Sequence, residues 1–136
     1  YDLQNTHQNI GLGMIGELKK PMSETEFLAF VKDKMQCGGI RHSALLGKSV
    51  QKVAVLGGSG SFAIKNAIQA NADVFLTADL KYHNFYEAEN QLVLADIGHF
   101  ESERFTKNYI VDFLKKKIPN FAIIFSEENT NPVKYL

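Results

Sequence analysis

A single cysteine, Cys37, is all the thiol chemistry this 136-residue chain carries. That excludes an internal disulfide and a cysteine-rich zinc site. Cys37 stands beside Gly38 near an expected helix end and reads as a structural thiol. An excess of one charge is also lacking: 15 Lys and Arg balance 15 Asp and Glu. Nucleic-acid binding needs a cationic footprint, and none is present. The one basic run, Lys115-Lys116-Lys117, falls at the expected C-terminus of a helix, where cations complement the helix dipole. No apolar stretch approaches membrane-spanning length, and no signal peptide opens the chain, so the expected compartment is the cytosol. The first residue is Tyr1 rather than Met, which leads to the expectation that the chain is part of a longer protein.

What is present is the composition of an ordinary globular domain, 45% hydrophobic and 22% charged. At this length it is expected to form one domain over residues 1–136 with one real core. Residues 1–18 read as strand-like, with a glycine-rich element at Gly11-Leu12-Gly13-Met14-Ile15-Gly16, and Pro21 is expected to end that segment. Ser23 and Glu26 form a Ser-x-x-Glu capping box. Phe27, Leu28, Phe30, Val31 and Met35 then follow helical spacing, and the helix is expected to stop near Gly38-Gly39. A short strand is expected over 40–46.

From Lys52 a strand–turn–helix pattern repeats. Val53-Ala54-Val55-Leu56 reads as a buried strand, Gly57-Gly58-Ser59-Gly60-Ser61 as a turn, and 62–70 as a helix. Asp73-Val74-Phe75-Leu76 is the next strand, with a helix over 82–89. Leu92-Val93-Leu94-Ala95 is the third, with a helix from His99 to about Lys117. Phe121-Ala122-Ile123-Ile124-Phe125 reads as a fourth strand, and the tail from Ser126 is polar. Alternation of apolar strands with helices predicts an α/β fold, a mostly parallel sheet with helices on both faces. In such a sheet ligands bind at the edge formed by the strand C-termini. Asp79, His83, His99 and Glu103 are therefore expected along one rim.

His99 and Glu103 lie four residues apart, one helical turn on the same face. An imidazole and a carboxylate at that spacing can share a divalent metal ion; a surface His–Glu pair is the simpler alternative. Asp79 and His83 have the same spacing. They fit either a polar loop with Asp79 capping the next helix or a catalytic or supporting role around a metal. Gly58-x-Gly60-x-x-Ala63, with Asp79 about twenty residues on, matches a dinucleotide fingerprint in outline. The alternative is a tight turn whose glycines serve packing. A glycine-rich turn at a helix N-terminus also offers backbone amides to an anion. Gly47-Lys48-Ser49 looks like the end of a phosphate loop, but His42 stands where that motif requires glycine. No Gly-x-Ser-x-Gly elbow accompanies Ser59 or Ser61, so a serine hydrolase has little support. His7 and His42 have no partner in the sequence and read as surface or structural residues.

Taken together, Gly57-Gly58-Ser59-Gly60-Ser61, Thr77-Ala78-Asp79-Leu80-Lys81-Tyr82-His83 and Asp96-Ile97-Gly98-His99-Phe100-Glu101-Ser102-Glu103 resemble the Nif-three-like family, which includes the GTP cyclohydrolase I type two homologues. Tyr1-Asp2, the Gly11–Gly16 element and Thr130-Asn131-Pro132-Val133 also fit its pattern. The resemblance implies a two-lobed α/β fold around a two-metal site, of which this chain is the carboxyl-terminal half, and a hexameric ring. It implies that His99 and Glu103 are metal ligands for two divalent ions, zinc, iron or manganese. The remaining ligands, an adjacent His pair and an Asp, belong to the amino-terminal half. The implied activity is hydrolytic opening of a purine nucleotide ring, with Asp79 and His83 orienting water or substrate. A regulatory or scaffolding protein stabilised by metal and working through partner binding is the alternative. Two departures stand out: Thr77-Ala78-Asp79 replaces Thr-Gly-Asp, and Met14 replaces an arginine in the glycine-rich element.

Overall fold

The computed structural model describes residues 11–136. The earlier part of the expected first strand, Tyr1-Asp2 and His7 lie outside the described residues. Five strands form one sheet: β1 (Met14–Ser23), β2 (Arg41–His42), β3 (Ser49–Ser59), β4 (Val74–Ala78) and β5 (Val93–Asp96), in the order β1-β3-β4-β5-β2. The three central strands run parallel, with Val53 opposite Val74 and Val74 opposite Val93. Both edge strands are antiparallel to their neighbours. The expected parallel core is present, framed by antiparallel edges.

Strand alternation sorts the core into two layers. Val53, Val74, Val93 and Ala95 face one side, where they meet Phe27, Leu28 and Val31 of α1 (Glu24–Met35). Ala54, Leu56, Phe75 and Leu94 face the other, against Ile64 and Ala67 of α2 (Ile64–Gln69). The capping box starts α1 as expected: the Glu26 amide donates to Ser23 Oγ, and the Ser23 amide donates to Glu26 Oε2 at 3.0 Å. Buried Glu24 fixes the loop before β3, accepting from the amides of Leu46 and Gly47.

Several boundaries differ from expectation. Pro21 does not end β1, which continues to Ser23. The pairing with β3 is instead interrupted between Glu17 and Met22. Proline has no N–H to give to a ladder, and an edge strand with an irregularity tolerates it. β3 runs through Gly57-Gly58 to Ser59, so the turn begins only at Gly60. The expected strand over 40–46 shrinks to Arg41–His42. The helix over 82–89 is a 3-10 segment, Tyr82–Ala88. The helix from His99 is broken into α3 (His99–Glu103) and α4 (Thr106–Lys117). Ser102 Oγ donates to the His99 carbonyl at 2.8 Å, a local bond of the kind that bends helices. The lysine run does occupy the last turn of α4.

The fourth apolar strand, residues 121–125, is not formed, and from Phe121 the chain is neither helix nor strand. Arg41–His42 already pairs with β5 on that side of the sheet, and the Ser43 amide extends the contact to the Leu94 carbonyl. The tail instead returns along the sheet's C-terminal edge. Asn131 Nδ2 donates to buried Glu101 at 3.1 Å. The Tyr135 ring covers Gly38 so closely that a Cβ there would be driven into it. Among the described residues, no helix is long and apolar enough to cross a membrane.

Candidate metal centre

The C-terminal ends of β3, β4 and β5 place the candidate residues on one rim, and each strand end turns by its own device. After β5, Gly98 adopts φ +90, a conformation that glycine reaches without a Cβ penalty. Buried Asp96 anchors this turn. Its Oδ1 accepts from the Gly98 amide at 3.0 Å, and its Oδ2 from the Leu80 amide at 3.0 Å and from the Arg41 guanidinium. One carboxylate thereby ties the ends of β5 and β4 together. The chain then enters α3 with His99 in its first position.

After β4, Asp79 is itself left-handed, at φ 56, which short polar side chains tolerate. Its carboxylate aims at the neighbouring strand end, and Asp79 Oδ2 lies 2.7 Å from His99 Nδ1. This is a ring partner, in place of the helix cap that the sequence also allowed. The methyl group of Ala78 brings no strain at the turn, because Ala78 ends β4, fully buried, and the left-handed residue is the next one.

β3 supplies the floor. The Gly58 amide donates to Ser102 Oγ at 2.8 Å, and the Gly58 carbonyl accepts from Thr77 Oγ1 at 3.1 Å. Gly58 has φ +67, and a Cβ there would lie 2.7 Å from Glu103 Oε1 and 3.5 Å from His99 Nε2. The absence of a side chain at Gly58 is what gives His99 and Glu103 their space. Gly60 has a different reason: a Cβ would collide with Thr77 Oγ1. The glycines of the dinucleotide-like turn therefore serve packing here.

On this floor His99 Nε2 stands 3.3 Å from Glu103 Oε2 across one turn of α3. Both side chains are about half exposed, at 50% and 54%. The hydrogen bond that His99 donates to Asp79 is the main cause that lifts the His99 pKa above its ordinary 6.5; partial burial opposes it, and the charges of Asp79 and Glu103 add to the rise. With Nδ1 committed to Asp79, Nε2 is the nitrogen turned toward Glu103, as in metal-binding histidines whose other nitrogen is held by a carboxylate. The donor set fits half of a metal site. Among the described residues no group of three or more His, Cys, Asp or Glu side chains stands ready to hold an ion. His99 and Glu103 would supply a nitrogen and an oxygen, and a closed site needs more donors.

His83 is not drawn into this cluster. It lies exposed on the 3-10 segment, its ring edge-on to Tyr82 with centroids 5.3 Å apart. Cys37 is buried, and burial pushes its thiol up to about 11, as suits a structural residue. His42 Nδ1 lies 2.7 Å from the Ser43 carbonyl on the far edge strand. Sequence reasoning missed Gly58 as the floor, Ser102 as its link to α3, and Asp96 with Arg41 as the anchor of the two turns. Gly58, Ser102 and Asp96 all lie within quoted motifs and had a signal to follow; Arg41 had none.

His99 and Glu103 line a cleft of about 770 Å³ that the returning tail also lines, through Asn131, Pro132 and Tyr135. That volume is in the range of small-molecule sites.

Comparison with known proteins gives a consistent picture. The family model described as Duf34/NIF3 (NGG1p interacting factor 3) matches residues 2–132. A protein of Staphylococcus epidermidis named "GTP cyclohydrolase 1 type 2 homolog" is 38% identical over 136 residues, covering 96% of this chain and 37% of its own length. The Bacillus subtilis protein of the same name is 37% identical over 141 residues, covering 100% of this chain and 38% of its own. Among solved structures, a Bacillus cereus protein related to NIF3 superposes with a TM-score of 0.86 at 34% identity, over 93% of this chain and 36% of its own. The chain spans little more than a third of the length of the relatives it matches.

Proposed function

Because the chain belongs to the Duf34/NIF3 family, we propose that it contributes His99 and Glu103 as one half of a two-metal site in a hydrolase-like protein acting on a purine nucleotide. The observation that carries this reading is the arrangement at His99: Nδ1 held by Asp79 at 2.7 Å, and Nε2 facing Glu103 at 3.3 Å above a glycine floor. The purine nucleotide rests on the name shared by the curated relatives. The other ligands, an adjacent His pair and an Asp, would come from an amino-terminal half, and the hexameric ring implied by the resemblance belongs to the same reading.

Zinc, iron and manganese all suit His and carboxylate donors, and a pair of such ions lowers the pKa of bound water and polarises the group under attack. This chain's own residues do four things. Asp79 holds the imidazole in one orientation and tautomer. His99 presents Nε2. Glu103, with Oε2 3.3 Å from that nitrogen, would supply an oxygen donor beside it. Ser102 ties the ligand helix to the end of β3, so that the two donors keep their spacing. Asp79 also lines the open cleft, where it can orient water or substrate; a part for His83 would require the 3-10 segment to swing toward the cleft.

A second reading, a metal-stabilised scaffold working through partner binding, is favoured by exposed apolar residues on α4 and the tail, among them Phe113, Phe121 and Ile124. The test uses the full-length protein. His99→Ala and Glu103→Ala are expected to lose metal and metal-dependent turnover together. Full metal content and turnover in both variants would reject the ligand assignment. Absence of turnover in the metal-loaded wild type, with an assembled ring and an identifiable partner, would favour the scaffold.

A further inference from the structure

Three cationic side chains line the same cleft as the metal pair: Arg41, Arg104 and Lys107. Two of them are engaged. The Arg41 guanidinium bonds Asp96 and, at 2.9 Å, the Leu80 carbonyl. Lys107 Nζ donates to the Ser126 carbonyl at 3.0 Å and has two further donors to offer. Arg104 differs. Among the described residues no carboxylate lies within ion-pair distance of it, and none of its five N–H donors has a hydrogen-bond acceptor.

Arg104 is nevertheless held in place. Its guanidinium carbon stands 5.4 Å from the Phe100 ring centroid and 5.7 Å from that of Phe105. Such contacts stabilise a guanidinium without using its hydrogen bonds. The residue is half-buried in the turn between α3 and α4, directly after the ligand Glu103. A half-buried, pre-positioned arginine with its whole fork unused, in a cleft of this size, is the arrangement that takes a carboxylate or phosphoryl group through paired charge-assisted hydrogen bonds.

The cleft carries both signs of charge. Asp79, His99 and Glu103 form its cation-binding part on the reading above, buried Glu101 is already occupied by Asn131, and the exposed Glu128 of the tail also lines it. Arg104 and Lys107, three residues apart, mark another part as anion-binding. Two cations match a dianion better than a monocarboxylate.

We propose that Arg104, assisted by Lys107, is a phosphoryl-binding subsite that anchors a phosphorylated small molecule while its reacting group faces His99 and Glu103. The orientation of the reacting group rests on the metal-site reading above; the phosphoryl contact itself does not.

The experiment titrates the metal-free full-length protein with inorganic phosphate, followed by amide chemical shifts, with malonate as a second probe and zinc affinity of the same protein measured separately. Phosphate is expected to move the amides around Arg104 and to bind more tightly than malonate. Arg104→Gln should weaken phosphate binding about tenfold or more. Arg104→Lys, which keeps the charge and loses the fork, should fall between. Lys117→Gln, a cation outside the cleft, should match the wild type. Phosphate binding that is undiminished in a folded Arg104→Gln or Arg104→Lys chain would overturn the proposal, as would malonate binding as tightly as phosphate. The two readings separate in His99→Ala, which should lose zinc and keep phosphate. Phosphate binding to the metal-free protein that is lost in that variant would place the anion on the His99 imidazolium and overturn the Arg104 subsite. A full-length wild type that binds phosphate through Arg104 but no zinc would sink the metal reading alone.

Discussion

Asp79 and His99, twenty residues apart and at the ends of adjacent parallel strands, meet through a 2.7 Å hydrogen bond to the imidazole Nδ1. The bond sets which ring nitrogen faces Glu103, so it controls the candidate ligand without belonging to the ligand set. Asp79→Asn is therefore expected to lower the His99 pKa toward its ordinary value and to weaken metal binding by about ten- to a hundredfold. An imidazole proton titration by NMR and competition against a chelator of known affinity check the two halves of this expectation.

The raised pKa of His99 has a defined pH signature. Without metal, the imidazolium's contacts with Asp79 and Glu103 contribute stability that is fully present below pH 6.5, the ordinary value, and lost as pH rises through the higher folded value. Metal shows the opposite trend, because a proton on Nε2 competes with the ion. Denaturation midpoints of the metal-free chain between pH 5 and 8 should show the first trend, and it should vanish in His99→Gln. Zinc affinity over the same range should rise with pH.

Gly58→Ala combines two penalties. It places a Cβ 2.7 Å from Glu103 Oε1, and it does so at φ +67. The backbone conformation alone costs about 1–2 kcal/mol for a non-glycine residue. Glu103 has to move, so metal affinity should fall together with thermal stability. A variant that lost stability but bound zinc as the wild type would show that Gly58 matters for the backbone only.

Asp96→Ala removes a buried carboxylate that accepts from Leu80, Gly98 and Arg41. The loss is expected to be about 2–3 kcal/mol, in the range for hydrogen bonds to a charged group that leave partners unsatisfied. Urea unfolding measures it. The companion variant Arg41→Ala should cost less, since the Arg41 side chain is 62% exposed and exposed ion pairs contribute little.

The three parallel strands, the capped α1 and the gathering of Asp79, His99 and Glu103 on one rim were legible because each rests on local patterning. The apolar runs at Val53, Val74 and Val93 announce buried strands, Ser23 and Glu26 announce a helix start, and strand polarity then dictates where the ends collect. Residues 121–125 misled for the complementary reason. Their apolar run satisfies strand patterning, but whether a sheet edge is open to them depends on Arg41–His42, some eighty residues earlier. The break between α3 and α4 carries no glycine or proline to announce it; Ser102, which bonds the His99 carbonyl, also accepts from the Gly58 amide, a tertiary contact that local patterning does not reveal. His83 looked equivalent to Glu103 by spacing alone. The 3-10 geometry of its segment, together with the left-handed turn at Asp79, removes the one-turn relationship that the spacing assumed.

Tyr135 lies over Gly38, next to a cysteine whose thiol burial keeps protonated. Thiolate is the reactive form, so Cys37, buried in the core beside α1 and near Tyr135 of the tail, is expected to react slowly with alkylating dyes while the tail is seated. The rate at which such a dye is consumed thus becomes a clock for departure of the tail, readable on the unmodified sequence because no second cysteine contributes background. A ligand that fills the cleft beneath Asn131 and Tyr135 and holds the tail down would slow that clock, whether or not anything is turned over.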